Sequence, residues 1–162
     1  LLVQTPGMDE AQREAFLEAF AAGPGTVLGL AVMGGLFGEG IDLVGDRLIG
    51  AVIVGVGLPQ LCVERDLIRG YFDARGVAGF AYAYAYPGMN RVLQAAGRVI
   101  RSETDRGVLL LVDERFVEPR YRELLPHGWR PLHRVRGTGG ITAALELFWH
   151  GIAEPRYEPL DE

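Results

Sequence analysis

The sequence contains no lysine, so all 16 of its basic residues are arginine. GC-rich coding accounts for this bias most simply. It still leaves every cation as a planar, always-charged guanidinium that can form two hydrogen bonds to one carboxylate or phosphate. The net charge of −5 argues against a protein that binds nucleic acid over its whole surface. Any binding of phosphate must therefore come from a local cluster of arginines.

Cysteine, histidine and serine are also scarce. Cys62 is the only cysteine, so an internal disulfide is excluded, and one thiol alone cannot hold an iron–sulfur cluster or a structural zinc. The three histidines, at 127, 133 and 150, lack the spacing of metal ligands, and the only serine, Ser102, has no histidine near it in the sequence to activate it. We therefore expect no metal site, no serine nucleophile, and a reducing, cytoplasmic setting.

No apolar run reaches the length of a membrane span, so no contact with a membrane is expected. The chain opens on LLVQTPG, without methionine, as if a strand were entered partway, which indicates a fragment of a longer protein. Its length suits a single domain over residues 1–162.

Short apolar segments alternate with amphipathic segments along the chain. Strands are predicted over 1–4, 26–32, 47–56, 107–113 and 132–136. Helices are predicted over 9–22, 63–74, 88–101, 117–125 and 141–151, with Asp9 as the N-cap of the first. The segment AYAYAYP (81–87) alternates with period two, as a strand does, but it also suits irregular chain before the next helix.

Strands that are apolar on both faces and separated by helices are typical of a parallel sheet covered on both sides, so the predicted fold class is α/β. Ligands bind beyond the carboxyl ends of the strands in such sheets. The glycine-rich loop after 26–32 and the turn DERF after 107–112 both lie there. In that turn we expect Asp113 and Glu114 to pair with Arg115 or to cap the next helix, because adjacent side chains leaving a strand point in different directions.

Residues 90 to 107, NRVLQAAGRVIRSETDRG, carry arginines on one side of a predicted helix. At 100° per residue, an arc of about 80° contains the following polar side chains: Arg91, Gln94, Arg98 and Arg101. The apolar side contains Val92, Ala96, Val99 and Ile100, with Leu93 at its edge. Gly97 lies beside the polar stripe, and a glycine inside a helix costs about 1 kcal/mol relative to alanine. We therefore expect Gly97 to permit a close approach by another group.

Two interpretations of this helix face stay open. A solvated face usually mixes both signs of charge at i, i+4 spacing, and the dipole at a helix C-terminus favours an arginine at position 101. This face has no carboxylate before Glu103, which favours an anion-binding surface, since a rigid row of guanidinium groups suits phosphate.

The loop GGLFGEGID (34–42) has four glycines in nine residues, and it also carries Glu39 and Asp42. Glycines let the backbone turn tightly and let a ligand approach its N–H groups. The loop is not a P-loop, because no G-K-[ST] follows, and it is not a G-x-G-x-x-G sequence that opens a helix. By itself it fits a structural turn as well as a binding loop.

Together the two stretches resemble helicase motifs. GGLFGEGIDLVGDRLIGAVIVGVGLP resembles motif V with its following strand, and QAAGRVIRSETDRGVLLLVDERF resembles motif VI, Q-x-x-G-R-x-x-R, with its following strand. The forms EGID, QAAGRVIRSETDRG and LLLVDERF are similar to the XPD/DinG-like (Rad3-related) branch of superfamily-two DNA helicases. The resemblance covers most of residues 1–125 and is weak beyond 130.

This resemblance implies a three-layer RecA-like (P-loop NTPase-like) domain with a mostly parallel central sheet and helices on both faces. In this family two such domains clamp one ATP, the first with the Walker A and B motifs and the second with motifs V and VI. The chain resembles the second domain. ATP, Mg²⁺, ATP-dependent unwinding of DNA and a role in repair or replication are therefore expected of the full-length protein. The isolated chain is expected not to hydrolyse ATP and to bind single-stranded DNA weakly at most.

The resemblance also implies roles for individual residues. Arg98 and Arg101 would reach across the cleft to the ATP phosphates, one of them as an arginine finger. The residues expected at the nucleotide are Gln94, Gly97, Gly40 and Asp42. The residues expected beside the DNA backbone are Gly34, Gly35 and Gly38. Relatives commonly carry a hydroxyl or a larger residue at the position of Gly38, as in F-S-E-G, so a side-chain contact to phosphate is lost there.

The expected partners are single-stranded DNA and the N-terminal helicase domain of the same protein. Members of this branch often hold an iron–sulfur cluster in that first domain, and the family suggests unwinding from 5′ to 3′. The alternative function is a non-enzymatic α/β module that binds an anion or a protein partner through the arginine face. A G-K-[ST] loop and a D-E-x-H box upstream of Leu1 would favour the helicase.

Overall fold

The computed structural model describes residues 1–21, 25–35, 43, 47–100, 105–130, 132–150 and 158–159. The chain divides into two compact units, Leu1–Phe116 and Val117–Glu162. The helices are α1 (Glu10–Glu18), α2 (Val63–Asp73), α3 (Tyr86–Ala96), α4 (Pro119–Arg122) and α5 (Gly137–His150). The strands are β1 (Leu2–Val3), β2 (Gly29–Leu30), β3 (Gly50–Val54), β4 (Val108–Val112), β5 (His133–Arg134) and β6 (Glu158–Pro159).

Two pairs of parallel strands form the sheets of the first unit. β3 pairs with β4 from Gly50 opposite Val108 to Val54 opposite Val112, and β1 pairs with β2. Helices combined with parallel strand pairs confirm the α/β class. Among the described residues these pairs are separate two-stranded sheets, so the single central sheet and the three-layer arrangement stay predictions.

Helix α1 begins as its sequence predicts. The side chain of Asp9 accepts a hydrogen bond from the backbone N–H of Gln12, and the Gln12 side chain accepts one from the Asp9 N–H, which is a capping box. Phe16 is buried, and its ring lies 5.8 Å from that of Phe20. A Cβ at Gly29 would lie 2.7 Å from Cζ of Phe20, so a glycine lets β2 lie close to this helix.

The prediction of a strand or irregular chain over 81–87 was wrong, since the segment is helical. Ala81–Ala85 form a π-helical turn that leads directly into α3. Pro87 lies in the first turn of α3 and has no N–H to bond to the carbonyl of Ala83, four residues earlier. The wider π turn, in which the Tyr86 N–H bonds to the Ala81 carbonyl, accommodates this missing bond. Ala83, Tyr84 and Ala85 are buried, whereas Tyr82 and Tyr86 are exposed, so burial follows the helix and not the alternation of alanine and tyrosine.

This helix carries much of the core of the first unit. Its buried residues are Ala83, Tyr84, Ala85, Met89, Val92 and Ala96. The hydroxyl of Tyr84 donates to Oδ1 of Asp66 over 2.9 Å, and the ring of Phe72 stacks on Tyr82 at 4.1 Å. The N–H of Gly79 donates to Oδ1 of Asp73 over 2.8 Å. Polar and aromatic contacts therefore fix α2 against the π turn.

The opposite side of α2 is apolar and exposed. Val63 and Leu67, one turn apart, are 72% and 69% exposed, and α2 has no buried residue among its members. A helix usually turns its apolar stripe toward a core. Here the side of α2 that contacts the π turn carries polar and aromatic residues instead, namely Asp66 and Phe72.

The second unit combines several short elements with one longer helix, α5. The predicted helix over 117–125 is shorter than expected: a 3₁₀ turn at Glu114–Val117 is followed by the single turn of α4. Tyr121 and Leu125 are buried. Strand β5 pairs with β6 in antiparallel orientation, and α5 is the longest helix of the chain as described.

Candidate functional site

The carboxyl end of β3 runs into a glycine loop that contacts the first turn of α3. Gly55 and Gly57 have φ values of +87° and +63°, in the left-handed region that favours glycine. A Cβ at Gly57 would lie 2.7 Å from the carbonyl oxygen of Gly88, and a Cβ at Gly88 would lie 2.6 Å from that of Val56. Glycine on both sides therefore permits a close approach of the two backbones. Sequence analysis did not identify this contact, although the spacing G-V-G directly after a strand is a signal for it.

The start of the predicted DNA-binding loop forms a tight turn after β2. The N–H of Gly35 donates to the carbonyl of Val32 over 3.0 Å, and Gly34 has a φ of +77°. The Val32 N–H donates to Oε1 of Gln4 over 2.8 Å, which ties the turn to the end of β1. The turn is thereby fixed to the first sheet.

Arg91 connects this turn with the glycine loop after β3. Its Nη1 donates to the carbonyl oxygen of Gly57 over 3.3 Å, and its side chain is half-buried. A Cβ at Gly34 would lie 3.0 Å from Cδ and 3.1 Å from Nε of Arg91. The side chain of Arg91 therefore lies against the protein's own backbone, a contact that neither interpretation of the helix face included.

The helix also ends earlier than predicted, at Ala96 rather than at residue 101. The Gly97 N–H makes the last i→i−4 bond, to Leu93 over 2.9 Å. The next two N–H groups, of Arg98 and Val99, bond to carbonyls three residues earlier, at 3.3 and 3.0 Å. Gly97 is therefore the C-cap and not an interior residue, and its φ of −64° is one that any residue adopts. The helical-wheel argument does not extend to Arg98.

Burial of Val99 explains where the helix stops. Val99 is 3% exposed and lies against Gly107, directly before β4, so the chain leaves the helix axis to reach the sheet. The predicted apolar side is confirmed for Val92, Ala96 and Val99, which are buried, whereas Ile100 is 44% exposed.

The structure describes five of the predicted site residues. Gln94 and Gly97 are exposed at the end of α3, and Arg98 is half-buried in the turn that follows. Gly34 and Gly35 lie in the turn after β2. The other four predicted residues lie outside the described residues: Arg101, Gly38, Gly40 and Asp42.

An ion pair closes the carboxyl end of β4, as the sequence predicted. Nε and Nη2 of Arg115 donate to the two carboxylate oxygens of Asp113 over 2.9 and 2.7 Å, and the Arg115 N–H donates to Oδ1 over 2.9 Å. The hydrogen bonds from Arg115 hold the pKa of Asp113 below its usual value, against the opposing effect of burial. This carboxylate is satisfied by its partner, which argues against acid–base work.

The donors at the end of α3 suit phosphate. Guanidinium and amide N–H groups donate to phosphate oxygens, whereas Mg²⁺ takes oxygen ligands. In the part of the chain that the structure describes, no group of three or more His, Cys, Asp or Glu side chains is placed to hold a metal ion. No helix among these residues is both long and apolar enough to cross a membrane.

Comparison with known proteins identifies the family of this chain. Residues 1–132 match the sequence profile of the helicase C-terminal domain family. The chain is 33% identical over 103 residues to the ATP-dependent DNA helicase DinG of Photobacterium profundum, a match over 62% of this chain and 15% of that protein. It is 30% identical over 125 residues to a probable ATP-dependent helicase of Methanocaldococcus jannaschii, over 72% of this chain and 19% of that protein.

A eukaryotic relative matches almost the whole chain. The XPD helicase subunit of general transcription and DNA repair factor IIH from Schizosaccharomyces pombe is 27% identical over 165 residues, covering 96% of this chain and 21% of that protein. These matches confirm the resemblance to XPD/DinG-like helicases. The chain spans about a fifth of the length of these relatives.

Proposed function

Since this chain belongs to the helicase C-terminal domain family, we propose that it is the second RecA-like motor domain of an ATP-dependent DNA helicase. In this proposal residues 1–162 form one domain of a longer protein and complete an ATP site whose phosphate-binding loop lies in an N-terminal helicase domain. The observation that carries the proposal is the contact between the Gly34 turn and α3. It joins the chain's motif V loop to its motif VI helix through Arg91.

The proposed role of the arginines follows from the chemistry of phosphoryl transfer. Catalysis of this reaction consists mainly of positioning and of stabilising negative charge on the phosphate oxygens. Arg98 follows Gly97, the C-cap of α3, and Arg101 is three positions further along the sequence. We assign them to the ATP phosphates, one as an arginine finger, with Gln94 and Gly97 at the same end of the helix. Gly40 and Asp42 are proposed to lie at the nucleotide as well.

The proposed contact with single-stranded DNA uses backbone rather than side chains. Glycines expose their N–H groups, which can donate to phosphate oxygens. We assign this role to Gly34, Gly35 and Gly38. A backbone contact of this kind fits an acidic chain, because it needs no basic surface. It also predicts weak binding by the isolated chain, since few phosphates are neutralised by cations.

The remaining groups are proposed to come from the longer protein. Mg²⁺ accompanies ATP and neutralises charge on its phosphates, and we propose that the N-terminal helicase domain holds it. An iron–sulfur cluster, if the protein has one, belongs to the N-terminal helicase domain. DNA repair or replication is the proposed process, in line with the names of the relatives.

The test compares the complete polypeptide with the 162-residue chain. ATP hydrolysis is measured with and without single-stranded DNA, and strand separation is measured on a duplex with a single-stranded tail. We expect DNA-stimulated hydrolysis and unwinding from the complete polypeptide and no hydrolysis from the chain alone. Absence of hydrolysis by the complete polypeptide, or turnover by the chain alone, would refute the proposal. In the first case, anion binding by the chain would support the alternative of a non-enzymatic binding module.

A further inference from the structure

We infer that Arg91 is a positioning residue that couples the DNA-contacting turn at Gly34 to the nucleotide-facing end of α3. The inference rests on the proposed function, because it takes the roles of the turn and of the helix from it. Arg91 itself touches neither nucleotide nor DNA in this account. It acts through the backbone groups that its side chain contacts.

The geometry places one side chain between two left-handed glycine turns. The stem of Arg91 lies against Gly34, where a Cβ would come within 3.0 Å of Cδ. Its guanidinium donates to the carbonyl of Gly57, whose own Cα faces the carbonyl of Gly88 in the first turn of α3. Met33 contacts the same place, since a Cβ at Gly57 would lie 3.2 Å from its Cε. If the Gly34 turn is displaced toward α3, the Arg91 side chain must therefore move with it or oppose the displacement.

The length of the side chain explains why an arginine suits this position. The stem of an arginine packs against apolar surface or backbone while its planar head donates hydrogen bonds in fixed directions. Within the described residues the guanidinium of Arg91 bonds to a carbonyl oxygen and to no carboxylate. Among these residues no ion pair on α3 holds the guanidinium, so its position depends on the loop whose carbonyl it contacts.

The helix provides the rigid link to the nucleotide. From Arg91 to Ala96, the last residue of α3, there are five residues, which at 1.5 Å per residue is about 7.5 Å, and Arg98 lies two residues beyond that end. The buried face of α3 between them, Val92 and Ala96, holds the helix on the core. Movement of the turn that binds DNA is thus passed to the residues proposed to contact ATP phosphates.

The experiment uses the complete polypeptide and measures kcat and KM for ATP at saturating single-stranded DNA, with and without Arg91→Ala. Coupling between two sites typically changes the affinity at one of them by about 5- to 150-fold. Taking a value within this range as a guide, we expect the DNA-stimulated kcat to fall about tenfold. KM for ATP should stay within about twofold of the wild-type value. Arg136→Ala, at an exposed arginine of the second unit, is the matched control and should behave as the wild type.

A double-mutant cycle with Gly34→Ala tests whether the two residues act together. The added Cβ meets the Arg91 stem and forces a left-handed φ on alanine, so this variant should also lose stimulation. Because both substitutions disrupt the same contact between Arg91 and the Gly34 turn, the DNA-stimulated kcat of the double variant should be no lower than that of the less active single variant. Multiplicative effects would mean independent sites and would overturn the inference.

The other outcomes are equally decisive. Stimulation within about twofold of the wild type for Arg91→Ala, or a raised KM for ATP at unchanged kcat, would overturn the inference. If circular dichroism shows that Arg91→Ala does not fold, Arg91→Lys is used in its place. Lysine keeps the aliphatic stem but lacks the planar guanidinium. Wild-type stimulation of the Arg91→Lys variant by DNA would also overturn the inference. A wild type without DNA-stimulated hydrolysis refutes the proposed function instead, so the two failures are distinguishable.

Discussion

Arg65 donates a hydrogen bond from Nη1 to the carbonyl oxygen of Ala83 over 3.0 Å. This carbonyl would normally accept from the N–H four residues later, but that residue is Pro87. The guanidinium of α2 thus supplies the donor that the proline removes. One side chain therefore stabilises both the π turn and its contact with α2.

Arg65→Ala should lower the free energy of unfolding by about 1 to 3 kcal/mol, because it leaves a partly buried helical carbonyl without its donor. Urea unfolding of the chain measures the change. Arg69→Ala is the matched control: its ion pair with Asp73 is half exposed at 3.5 Å, so about 0.5 kcal/mol or less is expected. In a Pro87→Ala background the new N–H can bond to Ala83, and Arg65→Ala should then cost less. An equal loss in both backgrounds would contradict this account.

Asp113→Asn should destabilise the chain in a pH-dependent way. The pKa of Asp113 is lowered in the folded protein, chiefly by its hydrogen bonds to Arg115. An aspartate in the unfolded chain has a pKa of about 3.9, so the ionised form stabilises the fold fully above that pH and progressively less as pH falls through the lower, folded value. For charged hydrogen bonds at a partly exposed site, such as those between Asp113 and Arg115, we expect the substitution to lower the free energy of unfolding by about 1 to 2 kcal/mol at pH 7.

Urea unfolding at pH 7 and at pH 3 tests whether the stabilisation by Asp113 decreases as the pH falls. The difference in free energy of unfolding between wild type and Asp113→Asn should shrink at the lower pH, because Asp113 of the unfolded chain then binds a proton that the folded state, with its lowered pKa, binds less readily. Glu114→Gln, at the exposed neighbouring position, should leave the stability within about 0.5 kcal/mol at both values. A difference for Asp113→Asn that is the same at both pH values would show that the charge is not what stabilises this turn.

Substitution of two helical glycines by alanine should have opposite effects. At Gly88 a Cβ would lie 2.6 Å from the carbonyl of Val56, so Gly88→Ala should destabilise the chain by about 2 kcal/mol or more through forced separation of the backbones. At Gly70 in α2 no atom lies within 4 Å, so Gly70→Ala should stabilise it by about 0.5 to 1 kcal/mol. Thermal unfolding of both variants gives the comparison. A neutral Gly88→Ala would mean that the contact between the β3 loop and α3 is loose.

The parts of the fold that the sequence predicts well are those set by local chemistry. The N-cap at Asp9 and the apolar runs that form β3 and β4 were predicted correctly, since caps and buried parallel strands leave direct signals in a sequence. The pair of Asp113 and Arg115 was also expected, because the two residues are two positions apart at a strand end.

The errors arise where tertiary contacts override a local pattern. AYAYAYP has the period of a strand, yet its consecutive residues Ala83, Tyr84 and Ala85 are buried in a helix that a proline widens into a π turn. The arginine stripe assumed that α3 continues to residue 101, whereas burial of Val99 ends it at Ala96. The contacts of Arg91 with Gly34 and Gly57 were not predicted. These residues lie far from Arg91 in the sequence, and helical periodicity detects only neighbours within the same helix.

The central claim is that this chain completes an ATP site with arginines that act on the transferred phosphate. Single-turnover hydrolysis of ATP by the complete polypeptide, together with equilibrium binding of ATP, tests it for Arg98→Ala and for Arg101→Ala. An arginine finger contributes about 10³- to 10⁵-fold to the rate, so we predict such a loss in at least one variant while the affinity for ATP changes less than about tenfold. Hydrolysis near the wild-type rate in both variants would contradict the claim.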